Sequence, residues 1–266
     1  MNDKDKIELA LKVATLYYRD GWNQSDIATE LNISRATVSR LLQFGRDRGL
    51  VTIKIHNPVA PLHQLEVDLL AKYPSLHKII IVPGTDDPLE EVGAAGAKYI
   101  EQVVEDKDII GLGWGKTVYQ VGLHLKPKDV TGITVVQMKG SMANTNTRNY
   151  AFETVNIFAN AFNTVPQYLP LPVIFDHAKT RELVANDTHI KHILKLGEQS
   201  NIAVFTVGTV RDSALLFKLG YFTKQEQLTL QHEAVGDAFS RFIDSKGQIV
   251  NEDINQRTIG IALPEL

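Results

Sequence analysis

The stretch Gln24-Ser-Asp-Ile-Ala-Thr-Glu-Leu-Asn-Ile-Ser-Arg-Ala-Thr-Val-Ser-Arg-Leu41 constrains the fold more than any other part of this chain. It holds two short helical patterns separated only by Asn32-Ile33-Ser34, which leaves room for nothing longer than a tight turn. Asn23, with Asp26 three residues on, suits the start of the first helix, and Ser34 suits the N-cap of the second. Ala28 is small enough for the helices to approach, Ile33 plugs the turn, and Val38, Leu41 and Leu42 face inward. A preceding helix carries Ile7, Leu11, Ala14 and Tyr18 on one face and stops at Gly21. Gly49 closes the third helix, and residues 50–55 alternate like a strand.

Such a unit is a helix-turn-helix, whose second helix enters the DNA major groove through its N-terminal half. Ser34, Arg35, Thr37, Ser39 and Arg40 occupy that half, and arginine suits bidentate contact with guanine. The charge distribution points the same way. Residues 1–57 hold nine Lys or Arg against seven Asp or Glu, whereas the remainder holds nineteen against twenty-four. Residues 34–49 alone carry four arginines and one aspartate. An ordinary helical hairpin with solvated arginines would explain the helices but not the turn chemistry or the charge segregation. Residues 1–56 are therefore expected to form a DNA-binding domain, with operator DNA as its partner.

Residues 57–61 contain two prolines and form a plausible linker. Residues 62–73 look helical, with Leu62, Leu65, Leu69 and Leu70 as an apolar stripe. Beyond them, short β-branched runs alternate with helical patterns. Strands are expected at residues 79–82, 109–112, 133–137, 202–207, 234–235 and 238–243, and helices near 88–105, 116–125, 148–163, 178–199 and 211–219. That alternation makes residues 62–266 an α/β domain, with a parallel sheet covered on both faces in the Rossmann-like manner. The 44% hydrophobic content excludes a largely disordered chain. The absence of cysteine excludes disulfides, thiolate zinc sites and cysteine nucleophiles, and fits a reducing cytoplasm. No apolar run is long enough to span a membrane.

Gly111-Leu-Gly-Trp-Gly-Lys-Thr117 follows an expected strand and opens an expected helix. Gly113 and Gly115 would let backbone N–H groups approach an anion, while Lys116 and Thr117 add a charge and a hydroxyl. The motif is neither a Walker A loop nor G-x-G-x-x-G, so a structural tight turn is an equal alternative on these residues alone. Gly208, Thr209 and Arg211 repeat the geometry at another strand end, where open α/β sheets bind ligands. Arg211 is also a plausible surface charge, and Asp237 either accepts from sugar hydroxyls or caps a turn. His189, His192 and Asp187 lack a third ligand motif, so no metal site and no cofactor are expected.

The run Leu31-Asn-Ile-Ser-Arg-Ala-Thr-Val-Ser-Arg-Leu-Leu42 resembles the reader domain of the SorC family of transcription regulators. Gly111 to Thr117 resembles that family's effector domain, as do Val135-Val-Gln-Met-Lys-Gly140, Tyr168-Leu-Pro-Leu-Pro172, Phe205-Thr-Val-Gly-Thr-Val-Arg-Asp212 and Ala234-Val-Gly-Asp237. The likeness covers essentially the whole chain and is closest to the branch that governs deoxyribonucleoside use. It implies an effector domain of the sugar-phosphate isomerase type that has become a sensor, in a homodimeric or homotetrameric repressor released from DNA by a phosphorylated sugar. Deoxyribose 5-phosphate is the effector that this branch implies. It also favours the phosphate cradle over the structural turn. Relatives continue about fifty residues past Arg257-Thr-Ile-Gly-Ile261, so the resemblance implies that this chain lacks a further effector-binding segment. Lys139, just past an expected strand and followed by Gly140, could form a Schiff base with the sugar's aldehyde. The competing class is a sugar-phosphate isomerase or Schiff-base aldolase using Lys139, against which the arginine-lined helix argues.

Overall fold

The computed structural model describes residues 3–53, 60–142 and 146–265. The chain divides into two compact units, Met1–Pro61 and Leu62–Leu266.

In the first unit, α1 (Asp3–Ala14) runs into a π-helical turn at Thr15–Arg19, and α2 (Gln24–Glu30) and α3 (Arg35–Asp47) follow. Asn23 caps α2 by accepting from the N–H groups of Ser25 and Asp26, and Ser34 caps α3 by accepting from Thr37 N–H. The core gathers Ala10, Val13, Ala14, Ile27, Val38, Leu41 and Leu42, with Ala28 and Ile33 packed against it. The buried stripe of α1 is therefore Ala10, Val13 and Ala14, whereas Leu11 and Tyr18 are exposed. Both stripes satisfy helical spacing. The small Ala10 admits the close approach of α3, and the wider π-helical turn carries Tyr18 out of phase. Residues 50–53 form no strand, and the remainder of that expected strand lies outside the described residues, as do linker residues 57–59.

Next come α4 (Ala60–Lys72), whose first two residues are helical where the linker is expected, and α5 (Pro88–Val103). Then come β1 (Ile109–Leu112), α6 (Lys116–His124), β2 (Thr134–Gln137), α7 (Ala151–Ala161), β3 (Pro166–Gln167), α8 (Ala178–Ala185), α9 (Thr188–Glu198) and β4 (Ile202–Val204). The chain continues through β5 (Val207–Gly208), α10 (Leu215–Lys218), α11 (Lys224–Glu233), β6 (Gly236–Ala238), β7 (Arg241–Ile243) and α12 (Glu252–Arg257). A parallel sheet runs in the order β3-β2-β1-β4, and a smaller antiparallel sheet in the order β5-β6-β7. Ile110, Leu112 and Val135 pack under α5, α6 and α7, whereas Val136 meets Ile190 and Ile193 of α9, so helices cover both faces of the parallel sheet.

Six expected elements differ, the first being residues 234–235, which precede β6 and add a Val235 N–H bond to the Ile243 carbonyl. Residues 79–82 make no ladder; Ile81 N–H instead donates to Glu66 Oε1 at 2.8 Å, which ties the segment to α4. The run 202–207 splits between two sheets after Val204. The run 238–243 turns at Phe239 and Ser240, both at positive φ, so β6 and β7 form a hairpin. The pattern 178–199 breaks into α8 and α9 because Asp187 caps the second helix. Only Leu215–Lys218 of the expected helix at 211–219 is helical, and α11 and α12 carry too little apolar periodicity to be read from spacing.

Candidate functional site

Each unit carries a candidate surface. In the first, Arg35, Ser39 and Arg40 are exposed on the outer face of α3, and Thr37 is half-buried. Ser34 Oγ and Thr37 Oγ1 lie 2.8 Å apart, so the cap also occupies both hydroxyls. Arg40 Nε donates to the Ala36 carbonyl at 3.3 Å, which holds its guanidinium along the helix. Arg46 donates instead to Gln43 and Tyr18, and Arg48 lies over the Phe44 ring. The basic stripe thus divides: two arginines are held against their own unit, and Arg35 and Arg40 face outward at the end of α3 that a major groove would admit.

In the second unit a cavity of about 320 Å³ opens at the carboxyl ends of β1, β2 and β4. Trp114, Gly115, Lys116, Thr117, Lys139, Thr206, Gly208, Thr209, Asp237 and Ser240 line it, with Leu215 and Leu216 as an apolar wall. Gly115 sits at φ +140 directly before α6, a conformation that side-chain-bearing residues rarely adopt, and the start of that helix borders the cavity. Lys116 and Thr117 form the first turn of that helix.

Lys139 stands on the continuation of β2, bridged to Gly260 of the segment after α12. Its ammonium donates to Ser240 Oγ at 3.2 Å and lies 4.0 Å from the centre of the Trp114 ring. The Trp114 indole N–H donates to the Gly140 carbonyl at 2.8 Å, so the ring is fixed at both ends. Burial lowers the Lys139 pKa to about 8, and the opposing pull of Asp237 recovers only part of the loss. Burial likewise raises Asp237, against the effect of Lys139 and of the Ser240 N–H, which donates to Asp237 Oδ2 at 2.9 Å. Gly208 of β5 packs against Asp237: a Cβ there would lie 1.9 Å from Asp237 Oδ1.

The cavity thus brings together Gly115, Lys116, Thr117, Lys139, Gly208, Thr209 and Asp237. Gly113, Gly140 and Arg211 lie outside its lining. Gly113 N–H donates to the Val204 carbonyl, Gly140 packs on Pro172, and Arg211 is exposed. Sequence reasoning passed over Trp114, Thr206 and Ser240. Trp114 lies inside the glycine motif, where spacing signals backbone access but gives no sign of a ring facing the cavity. Ser240 fell inside an expected strand, where alternation gives no sign of a turn. A larger cavity of about 730 Å³, lined by Arg181, Glu182, Arg241 and Asn255 among others, lies away from these strand ends. Among the described residues there is no cluster of His, Asp or Glu able to hold a metal, and no helix is long and apolar enough to cross a membrane.

Comparison with known proteins finds a family model for each of the two units. A family model described as a sugar-binding domain matches residues 57–266, and a homeodomain-like model matches residues 4–43. The chain is 45% identical to the deoxyribonucleoside regulator of Bacillus subtilis over 99% of its own length and 85% of that protein's. It is 30% identical to the sorbitol operon regulator of Klebsiella pneumoniae over 100% of its length and 86% of that protein's. The crystal structure of that full-length regulator superposes with a TM-score of 0.69 at 28% identity, covering 98% of this chain and 85% of the other.

Proposed function

Because this chain belongs to the SorC family of sugar-binding transcription regulators, we propose that it is a repressor released from its operator by deoxyribose 5-phosphate. It is a sugar-responsive, DNA-binding transcription regulator of the SorC type and not an enzyme. The finer reading draws support from one observation: a buried lysine and a helix N-terminus open into the same cavity. Deoxyribose 5-phosphate offers the two groups that such a cavity can take, an aldehyde in its open form and a phosphate. The phosphate would rest on the first N–H groups of α6, Thr117 and Lys116, and the aldehyde would bond to Lys139 Nζ. An amine with a pKa near 8 supplies far more neutral nucleophile at pH 7 than an ordinary lysine does. The name of the B. subtilis relative points to the same class of metabolite.

On the reader side, Arg35 and Arg40 would contact operator DNA, with Ser34, Thr37 and Ser39 beside them. A two-fold protein reading two half-sites makes a homodimer or homotetramer the economical assembly. α4 supports subunit contact, since Leu65 and Val67 are exposed apolar side chains on it. Borohydride trapping tests the effector assignment: reduction with the sugar present should add its mass to the peptide containing Lys139. Trapped mass at other lysines alone would reject it.

A further inference from the structure

Lys139 meets its surroundings through a hairpin. Ser240, at the β6–β7 turn with φ +65, accepts from Lys139 through Oγ and donates through its backbone N–H to Asp237 Oδ2. One residue therefore fixes both the amine and the carboxylate, and both open into the same cavity. The other charged groups nearby are Lys116, at the exposed start of α6, and Arg241 on β7. The Arg241 guanidinium turns away to the carbonyls of Asn255, Thr258 and Gly260. Asp237 is thus the carboxylate that the hairpin sets beside Lys139, and Gly208 leaves its Oδ1 just enough room.

We propose that Asp237 is the acid–base group for reversible imine formation between Lys139 and a phosphorylated aldehyde, and that Ser240 is the residue positioning the two. This rests on the assignment of Lys139 as the effector-bonding residue. The steps balance without any further reagent. Asp237 takes a proton from the Lys139 ammonium, and the free amine attacks the aldehyde carbon, forming a C–N bond. The proton on nitrogen passes to the carbonyl oxygen, giving a carbinolamine. Asp237 then returns its proton to the hydroxyl, the C–O bond breaks and water leaves. The product is an iminium ion, so the positive charge present at the start is retained. It remains over the Trp114 ring and opposite a carboxylate, which favours it over a neutral adduct. Reversal of the same steps releases the sugar when its concentration falls.

The test is the rate of imine formation in the full-length protein, followed by timed borohydride trapping with deoxyribose 5-phosphate across about pH 6 to 9. In the wild type the rate should follow a bell, because both an amine and an acid are needed. Asp237→Asn should form the adduct at a rate lower by about 100-fold, and its rate should rise steadily with pH, since only Lys139 then titrates. Ser240→Ala, which keeps the carboxylate, should slow the reaction by about tenfold while keeping the bell. A wild-type rate and bell in Asp237→Asn would overturn the acid–base role while leaving Lys139 as the effector residue. A Ser240→Ala rate equal to the wild type's would overturn the positioning role. No adduct in the wild type would remove the Lys139 assignment and this inference together.

Discussion

The Lys139 ammonium and the Ser240 hydroxyl lie 3.2 Å apart, although 101 residues separate them in the chain. The contact joins the parallel sheet to the small antiparallel one and closes one side of the cavity, so substitutions at either end act on the same site.

Stability should carry the imprint of the buried amine. An amine held at about 8 in the folded chain and near 10.5 in the unfolded one makes the unfolded state bind more protons between those values. The burial cost is therefore fully present below about pH 8 and is relieved as pH rises from about 8 to 10.5. Urea unfolding of the wild type should show stability rising through that window relative to Lys139→Met, in which the slope is absent. Parallel pH profiles for the two would show that Lys139 is not desolvated.

Gly208→Ala should disable the sensor without touching the reader. The added methyl would fall 1.9 Å from Asp237 Oδ1, so the carboxylate must leave its bond to the Ser240 N–H or β5 must give. A cost of about 1–3 kcal/mol is expected for such overpacking. Urea titration should register that loss, operator affinity should stay at the wild-type value, and release by sugar should weaken.

Arg35 and Arg40 should separate base reading from phosphate binding. If Arg35 reads a guanine, Arg35→Ala costs about 1–3 kcal/mol and relaxes preference at one base position. If Arg40 contacts phosphate, Arg40→Ala weakens all sequences alike and lowers the salt slope by about one. Binding isotherms across salt and across single-base operator variants distinguish the two, and unchanged affinity in both variants would remove α3 from the interface.

The stripe on α4 should hold subunits together. Leu65 is 46% exposed, while Leu62, Leu69 and Leu70 are half-buried. Polar residues at Leu65 and Leu69 should shift the mass measured by light scattering toward the monomer. A folded double variant with wild-type mass would assign the stripe to its own unit.

Local chemistry made much of this legible. The caps at Asn23 and Ser34 and the inward Val38, Leu41 and Leu42 stand where turn residues and helical spacing put them. β1, β2 and the helices around them follow from β-branched runs that must be buried on both faces. What stayed hidden depends on contacts between distant segments. Residues 79–82 have the composition of a strand but are held by a Glu66 side chain, which no local pattern encodes. Ser240 enters the site because Phe239 and Ser240 adopt positive φ without a glycine to announce it. Arg211 was a reasonable ligand by position but faces solvent.

An operator-binding titration with and without deoxyribose 5-phosphate tests most directly whether Lys139 couples sugar to DNA. The wild type should lose operator affinity as the sugar is added, whereas Lys139→Ala should bind operator equally well and lose most of its response. Release of Lys139→Ala from DNA at the wild-type sugar concentration would contradict the account.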